Sequence, residues 1–292
     1  MTSFRFAEHV AEALVRALHA RVPDARRVDG YYAPLAIGSA RRLSECPHRP
    51  WVLGIQGPQG CGKTTLASAL VDAFGGVGLR SVAVSIDDFY LTHAEQLALG
   101  ERHKANPYLL YRGYPGTHDV GLGARVIESI VRLRPGEESH VPVYVKSAHG
   151  GRGDRAPPSD WRRVVGPIDA LFVEGWMLGF SPVDEATIEP ELRAPNALLA
   201  AYVAWTGSLD SFVHLDVASL DAIVSWRVDA ERARRALGHD ALSDDEARDY
   251  IERFLPAYRA YLPGLRARPP SSDVRTIDLA PDRMPVLSLR PS

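Results

Sequence analysis

The chain has 292 residues, 46% of them hydrophobic, so it can bury one large core, and we expect one main domain, residues 1–292. Its 34 lysine and arginine residues nearly balance 36 acidic residues, without a block of like charge, which argues against a nucleic-acid track or a membrane-surface patch. A small-molecule partner is favoured. No apolar stretch approaches the roughly 20 residues of a membrane span, and two cysteines are too few for a disulfide framework, which fits a cytoplasmic location.

The N-terminal segment, residues 1–48, begins with an amphipathic pattern. Val10, Leu14 and Leu18 recur at helical spacing, which predicts a helix that packs on the main domain. Two glutamates interrupt the run that a signal peptide would keep apolar. We therefore expect a helical segment rather than a targeting peptide.

Short apolar runs rich in valine and isoleucine alternate with longer helical patterns along the rest of the chain. They cover residues 51–56, 81–86, 169–175, 211–216 and 274–279. Such runs suit strands buried on both faces, and their alternation with helices predicts a parallel sheet in an α/β fold. Ligands of such folds bind beyond the carboxyl ends of the strands, so we expect the functional residues there.

The first run leads into a glycine-rich turn that fits the phosphate-binding pattern GxxxxGK[ST], with a predicted strand before it and a predicted helix after it. In this arrangement backbone N–H groups bind phosphates, Lys63 reaches the β and γ phosphates, and Thr64 binds Mg²⁺. None of the three lysines stands in the guanine-reading sequence [NT]KxD, which argues against a GTPase. The predicted P-loop (Walker A) residues are Gly57, Pro58, Gln59, Gly60, Cys61, Gly62, Lys63, Thr64 and Thr65.

The second run ends in the sequence SIDDFYLT. A kinase needs a carboxylate within hydrogen-bond reach of the acceptor hydroxyl, and a residue that leaves a strand beside the phosphate-binding turn is well placed for this role. Asp87 is the candidate base and also a candidate Mg²⁺ ligand. Asp88 is a candidate substrate contact that can also touch Mg²⁺ or cap the next helix. The alternative is that both aspartates only cap a helix or are solvated.

The third run ends at Glu174, directly before Gly175. An acid at the tip of a buried strand is well placed to hold Mg²⁺ directly or through water. Glu174, Thr64 and Asp87 are therefore the predicted metal ligands, and Glu174 joins Lys63 and Asp87 as a candidate catalytic residue. Capping of a helix or loop is its alternative role.

A long insertion, residues 90–167, separates the second run from the third. It is rich in glycine and charge, and a helical pattern returns in its middle, so we expect an ordered lobe that binds the acceptor. Lys146, Arg152 and Arg155 are candidates to bind an anionic substrate, because cationic side chains, arginine forks above all, match carboxylate and phosphate groups. A solvated basic loop is the competing interpretation.

The region after the fourth run, residues 218–238, has an arginine-rich helical pattern closed by Gly238 and is the predicted lid. A lid arginine can stabilise charge on a transferred phosphoryl group, but for each single arginine we favour a solvated helix face with ion pairs. The candidate lid arginines are Arg227, Arg232, Arg234 and Arg235.

The segment that follows the predicted lid begins with Ser243 and Glu246 in a capping-box pattern. It carries an apolar face that we expect in the core. The residues of this face are Ala247, Ile251, Phe254, Tyr258 and Tyr261.

Taken together, six segments resemble the D-glycerate 3-kinase family, which belongs to the P-loop kinases akin to uridine kinase, phosphoribulokinase and bacterial pantothenate kinase. The segments are, in order, GPQGCGKTT, SIDDFYLT, RGYPGTHD, KSAHGGRGDRA, FVEGWMLGF and SDDEARDYIERFLPAYRAYLPGL. The resemblance extends from about Trp51 to Leu265. It implies a P-loop NTPase fold in which helices flank a parallel sheet, with a substrate-binding insertion and a helical lid, and ATP-dependent phosphorylation of the 3-hydroxyl of D-glycerate.

The resemblance also supports individual residues. Asp87 is similar in place to the catalytic base of related kinases, and Tyr90 belongs to the same acidic stretch. Arg112 and His118 match the segment RG-PGTHD. Together with Tyr90, they are expected to bind the substrate.

One departure concerns residues 144–147, which read YVKS where family members usually read YDKS. Val145 replaces an aspartate that contacts the acceptor in uridine kinases. Either the acceptor pocket differs or another residue has taken this role.

The leading hypothesis is therefore a kinase that uses ATP and Mg²⁺ to phosphorylate a small hydroxy acid, D-glycerate, giving 3-phosphoglycerate. A kinase of the same fold for another hydroxylated metabolite is the first alternative. A catalytically silent ATP-binding regulator is the second, although the candidate base and metal ligands are all present.

Overall fold

The structure is a computed structural model that describes residues 5–48, 50–104, 106–238 and 240–286. The two ends of the predicted domain, residues 1–4 and 287–292, lie outside the described residues. The helices are α1 (Glu8–Arg21), α2 (Ala25–Arg27), α3 (Ala33–Glu45), α4 (Lys63–Gly76), α5 (His93–Arg102), α6 (Val120–Val131), α7 (Arg193–Leu199), α8 (Leu220–Ala236), α9 (Asp244–Glu252) and α10 (Leu255–Ala267). The strands are β1 (Trp51–Gln56), β2 (Ser81–Ser85), β3 (Glu138–Val141), β4 (Tyr144–Val145), β5 (Asp154–Arg155), β6 (Arg162–Val165), β7 (Ala170–Gly175), β8 (Ser211–Val217) and β9 (Val274–Leu279).

The central sheet has the strand order β2-β7-β1-β8-β9, and all its pairings are parallel. These are the strands predicted from the apolar runs, and their bounds agree with the prediction to within one residue. Every residue of β1, β7 and β8 is buried, because helices cover both faces of the sheet, and this burial explains the unbroken apolar runs. The predicted α/β fold is confirmed.

Helices position the end of the phosphate-binding turn. α4 begins at Lys63, directly after the turn, and α1 packs against it. Val10, Leu14 and Leu18 form the buried face of α1, as their helical spacing predicts. Among the described residues, every helix is too short or too polar to span a bilayer.

The described part of the insertion between β2 and β7 contains α5, α6 and two antiparallel strand pairs, β3–β6 and β4–β5. Its central helix α6 packs closely on the rest of the domain at Gly123, where a Cβ atom would lie only 2.5 Å from the indole nitrogen of Trp205. The same indole N–H donates to the carbonyl of Val120 at 3.0 Å. This contact fixes the start of α6 relative to the segment before β8.

The C-terminal helices differ from the prediction in one respect. The capping box at Ser243 is present, and the predicted apolar residues from Ala247 to Tyr261 are buried. Their face is divided between two helices, because Pro256 fits the first turn of α10 but cannot continue α9.

Candidate active site

The phosphate-binding loop joins the carboxyl end of β1 to the N-terminus of α4. Gly60 and Gly62 have φ angles of 81° and 101°, which L side chains rarely adopt. A Cβ on Gly57 would lie 2.8 Å from both the Sγ of Cys61 and the Cβ of Leu215. The glycine pattern is therefore a geometric requirement of this loop, whose N–H groups and helix N-terminus suit a phosphate ligand.

Side chains from within and beyond the motif hold this loop in place. The ammonium group of Lys63 is buried and donates to the carbonyl of Pro58 at 3.1 Å. The backbone N–H of Gln59 donates to the hydroxyl of Tyr258 at 3.1 Å, and this hydroxyl also donates to the Gln59 side chain. Arg283 donates to the carbonyl of Gly60 at 2.8 Å. The loop is thus tied to the C-terminal part of the chain.

Two predicted metal ligands meet where β1 and β7 end. The hydroxyl of Thr64 donates to Oε1 of Glu174 at 2.8 Å. Glu174 is 4% exposed, and β7 lies between β1 and β2, so its carboxylate stands beside the phosphate-binding loop. A hydroxyl and a carboxylate in contact form an oxygen donor set that fits Mg²⁺. Asp88 lines the same cavity as Thr64 and Glu174.

Asp87 and Asp88 leave β2 in a short 3₁₀ turn and point to different partners. Burial opposes ionisation of Asp87, yet the nearby ammonium of Lys146, 2.6 Å from Oδ2, holds the pKa of Asp87 below its usual value. Asp88 accepts from the N–H of Ser85 at 3.3 Å in a capping box. Burial raises the pKa of Asp88 to about 6. Asp88 therefore has the capping role that was its alternative, while Asp87 faces the insertion.

A buried histidine stands near Asp87. His118 stacks on Tyr90 with ring centroids 4.2 Å apart, and its Nδ1 lies 2.9 Å from the hydroxyl of Tyr202. Burial lowers the pKa of His118 to about 3, so its ring is neutral at physiological pH. Among the described residues, Nε2 of His118 has no hydrogen-bond partner. This atom is a polar group that a bound molecule can satisfy.

Comparisons with known proteins identify the family. Residues 52–187 match the phosphoribulokinase / uridine kinase family. An uncharacterized kinase of Schizosaccharomyces pombe is 39% identical over 228 residues, which are 73% of this chain and 82% of that protein. The chloroplastic D-glycerate 3-kinase of Arabidopsis thaliana is 38% identical over 286 residues, or 91% of this chain, which spans only 62% of the plant protein's length. The solved structure of D-glycerate 3-kinase from Cryptococcus neoformans superposes on this chain with a TM-score of 0.74, and the two sequences are 26% identical. The match covers 96% of this chain and 98% of the fungal chain.

The chain belongs to the D-glycerate 3-kinase family. The resemblance that the six segments carried is therefore confirmed, as is the P-loop fold. Membership of a kinase family also implies that the nucleotide is ATP.

The four predicted cations of this D-glycerate 3-kinase family member have different surroundings. Lys146 pairs with Asp87. Arg112 donates to carbonyls of its own lobe, those of Gly151 and Arg152, and its guanidinium carbon lies 5.6 Å from the ring centre of Tyr144.

The other two arginines differ in their partners. Arg155 lies between Glu95 at 3.2 Å and Asp119 at 3.5 Å. The guanidinium of Arg152 stacks on the ring of Tyr111 at 5.1 Å. Arg112 and Arg155 thus hold the insertion together in this structure.

The residue that departs from the family pattern lies at the edge of the insertion. Val145 is 41% exposed and is paired with Asp154 across the β4–β5 ladder. The carboxylate of Asp154 accepts from the N–H of His93 at 2.9 Å and contacts His149 at 3.0 Å. The acidic side chain opposite Val145 is therefore bound within its own lobe.

The candidate lid arginines form ion pairs or hydrogen bonds near α8, as the favoured alternative predicts. Arg227 pairs with Glu231 at 2.5 Å within the helix, and Arg234 donates to the carbonyl of Asp240 at 3.0 Å. Arg232 and Arg235 both pair with Asp244 at the start of α9, at 2.6 and 2.5 Å.

Sequence reasoning missed two residues that contact the phosphate-binding loop. Tyr258 was expected only in the core, and Arg283 was not singled out. The two contacts join positions 199 and 223 residues apart in the chain, so no local sequence pattern indicates them. For Arg283, the turn-forming sequence APD before it was the one available signal.

Proposed function

We propose that this protein is a kinase that transfers the γ-phosphoryl group of ATP to the 3-hydroxyl of D-glycerate, giving 3-phosphoglycerate. The observation that carries the proposal is the placement of the Thr64–Glu174 pair and the Asp87–Lys146 pair at the ends of neighbouring strands, beside a formed P-loop. The names of its plant and fungal relatives point to glycerate as the acceptor.

On the phosphate side, residues 57–65 bind the triphosphate through backbone N–H groups, and Lys63 exchanges its bond to Pro58 for the β and γ phosphates. Thr64, Glu174 and Asp87 are the proposed ligands of Mg²⁺. When bound, Mg²⁺ neutralises charge on the phosphates. Most of the rate enhancement would come from positioning and charge stabilisation.

On the acceptor side, Asp87 accepts the proton of the attacking hydroxyl. Lys146 is the proposed cation for the glycerate carboxylate, because its ammonium already binds a carboxylate there. His118 offers Nε2 to a substrate hydroxyl, and Tyr90 holds the ring of His118 in place. Asp88 orders the strand end through its bond to Ser85.

The arginines of the insertion have proposed roles of two kinds. Arg152 has no ion-pair partner among the described residues, so after Lys146 it is the better candidate for the substrate carboxylate. Arg112 and Arg155 reach the substrate only if their present hydrogen bonds or ion pairs open. We therefore propose that both shape the acceptor lobe and bind substrate only after such a rearrangement.

The organisation predicted from the sequence is part of the proposal. Residues 1–48 support the sheet, residues 90–167 form the acceptor lobe, and residues 218–238 form the lid helix region. A cytoplasmic location is proposed from the low cysteine content, although the plant relative is a chloroplastic protein.

The test is ADP release from Mg-ATP by purified protein, with D-glycerate, L-glycerate, uridine and pantothenate supplied separately and Lys63→Ala as the blank. D-glycerate-dependent release that the blank lacks supports the proposal, and phosphorus NMR of the product distinguishes the 3-phosphate from the 2-phosphate. Release with another acceptor favours the same-fold kinase for a different metabolite, which the exposed Val145 makes a specific alternative. ATP binding without release for any acceptor favours the regulator.

A further inference from the structure

The C-terminal turn after β9 brings one side chain to the junction of the phosphate-binding loop and α8. Nε of Arg283 donates to the carbonyl of Gly60 at 2.8 Å, and Nη2 donates to the carbonyl of Trp226 at 3.1 Å. The guanidinium carbon lies 5.7 Å from the centre of the Trp226 ring. A single residue therefore contacts both the loop that is proposed to bind phosphate and α8, the helix of the predicted lid.

The loop and the helix also touch each other directly. A Cβ on Gly60 would lie 2.9 Å from the Cβ of Trp226 and 3.2 Å from its carbonyl carbon, so only glycine permits this approach. The indole N–H of Trp226 donates to the carbonyl of Pro281 at 2.6 Å. The loop, α8 and the C-terminal turn thus form one packed junction, with Arg283 at its centre.

The backbone of Arg283 has an unusual conformation. Its φ is 64°, and among the described non-glycine residues only His149, in the proposed acceptor lobe, also has a positive φ. The turn is closed by hydrogen bonds from Arg283 to Ala280 and from Ala280 to Met284, both 2.8 Å. A glycine fits such a position with less strain, and strained residues persist where the surroundings or the function require the side chain.

The charge of Arg283 suits the geometry of a phosphate-binding loop. When the N–H groups of such a loop point inward, its carbonyls point outward and need donors. Burial lowers the pKa of Arg283, but a guanidinium stays protonated at neutral pH. A cation on the carbonyl of Gly60 fixes that peptide plane, and the N–H of the same peptide, that of Cys61, donates to the carbonyl of Pro58 at 3.3 Å, so Arg283 supports the turn from outside.

We infer that Arg283 is a positioning residue that locks the phosphate-binding loop onto α8 and so holds the loop ready for a nucleoside triphosphate. It acts through Gly60 and Trp226 and does not touch the transferred group. The inference rests on the proposed function in one respect, namely that the loop binds Mg-ATP. Because α8 carries the candidate lid arginines, the same contacts also position the lid helix relative to the loop.

The experiment compares Arg283→Ala, Arg283→Gly and Arg283→Lys with the parent protein. Arg275→Ala is the matched control, because Arg275 is another C-terminal arginine that donates to a backbone carbonyl, that of Pro34 at 3.2 Å, away from the loop. The measurements are the dissociation constant of Mg-ADP by calorimetry, the KM values for ATP and D-glycerate, kcat, and the melting temperature.

Arg283→Ala and Arg283→Gly should weaken Mg-ADP binding and raise the KM for ATP by about tenfold to a hundredfold, the usual effect of losing hydrogen bonds from a charged donor. The KM for D-glycerate should change little. Arg283→Lys should be intermediate, because an ammonium can keep one carbonyl contact. Arg283→Gly should melt no lower than Arg283→Ala, since glycine relieves the strain of a positive φ, and Arg275→Ala should bind like the parent.

Parent-like nucleotide binding in both Arg283→Ala and Arg283→Gly would overturn the inference. A loss of binding that only follows the melting temperature, without recovery in Arg283→Lys, would also overturn it, because the role would then be general stability. If the parent itself does not bind Mg-ADP, the proposed function fails first, and the positioning role fails with it.

Discussion

The proposed phosphate side and the proposed acceptor side of the site are formed by different kinds of chemical group. The phosphate side consists of backbone groups of one short loop, with glycines at positive φ and Lys63 bonded to a carbonyl of the same loop. The acceptor side consists of charged side chains from separate segments, such as Lys146 with Asp87 and Arg155 with Glu95. A backbone site is largely preformed, whereas a side-chain site can rearrange when a charged substrate replaces an internal ion pair.

This difference predicts how substitutions divide. Changes on the phosphate side should affect turnover with every acceptor, and changes on the acceptor side should appear first in the KM for the acceptor. Three substitutions test this division and a fourth tests the burial of Asp88 between the two sides, from the largest expected effect to the smallest.

Asp87→Asn lies where the two sides meet and should have the largest effect. Asparagine keeps the shape but cannot accept the hydroxyl proton, so we expect kcat to fall by roughly 10²–10⁴. The measurement is D-glycerate-dependent ADP release, with Asp88→Asn as the neighbouring control. Full turnover in Asp87→Asn would show that another group is the base.

Glu174→Gln should act on the phosphate side. The amide keeps a partner for the hydroxyl of Thr64 but removes the charge that favours Mg²⁺, so half-maximal activity should need roughly 10–100 times more Mg²⁺. A titration of activity with Mg²⁺ at saturating D-glycerate measures this. An unchanged Mg²⁺ requirement would restrict Glu174 to the hydrogen bond with Thr64.

Lys146→Met should act on the acceptor side. Loss of the ammonium should raise the KM for D-glycerate by about tenfold, the effect of a hydrogen bond from a charged donor, and leave the KM for ATP nearly unchanged. Lys104→Met is the matched control, since Lys104 is exposed and pairs with Glu101 at 2.9 Å. A larger change in the KM for ATP than in that for D-glycerate would place Lys146 on the phosphate side instead.

Asp88→Asn should have the smallest effect, on stability. Burial raises the pKa of Asp88 to about 6, above the value of about 3.9 in an unfolded chain, so ionisation at this position costs folding free energy. The cost grows as the pH rises from about 4 to about 6 and stays constant above that range. Without Mg²⁺ and nucleotide, the variant should melt a few degrees higher than the parent at pH 8 and show no gain at pH 4. A larger gain at pH 4 would contradict the burial argument.

The sequence predicts the parts of this molecule that depend on local patterns. The strands follow from apolar runs, the loop follows from glycine and lysine spacing, and the capping box at Ser243 follows from its own four residues. The division between α9 and α10 could also be predicted, because Pro256 has no backbone N–H to continue the hydrogen bonds of α9.

The side-chain contacts of the site could not be predicted in the same way. The sequence makes Arg155 a candidate to bind an anionic substrate. In the fold, however, its guanidinium contacts Glu95 and Asp119, which lie 60 and 36 residues away in the chain. Arg283 reaches Gly60 across 223 residues. Such partners become neighbours only through tertiary packing, so the sequence indicated the type of chemistry and not the pairs that arrange it.

The strand order of the sheet has a consequence for folding. β1, which ends at the phosphate-binding loop, pairs with β7 and β8, so the loop is synthesised early but its supporting strands follow more than a hundred residues later. Pairings between such distant segments form slowly, because a long loop must close before any contact offsets its entropy. A nascent chain that ends before residue 170 contains the whole glycine motif without either of the strands that pair with β1. We therefore expect the loop to take the shape that suits a phosphate only after β7 and β8 have paired with β1.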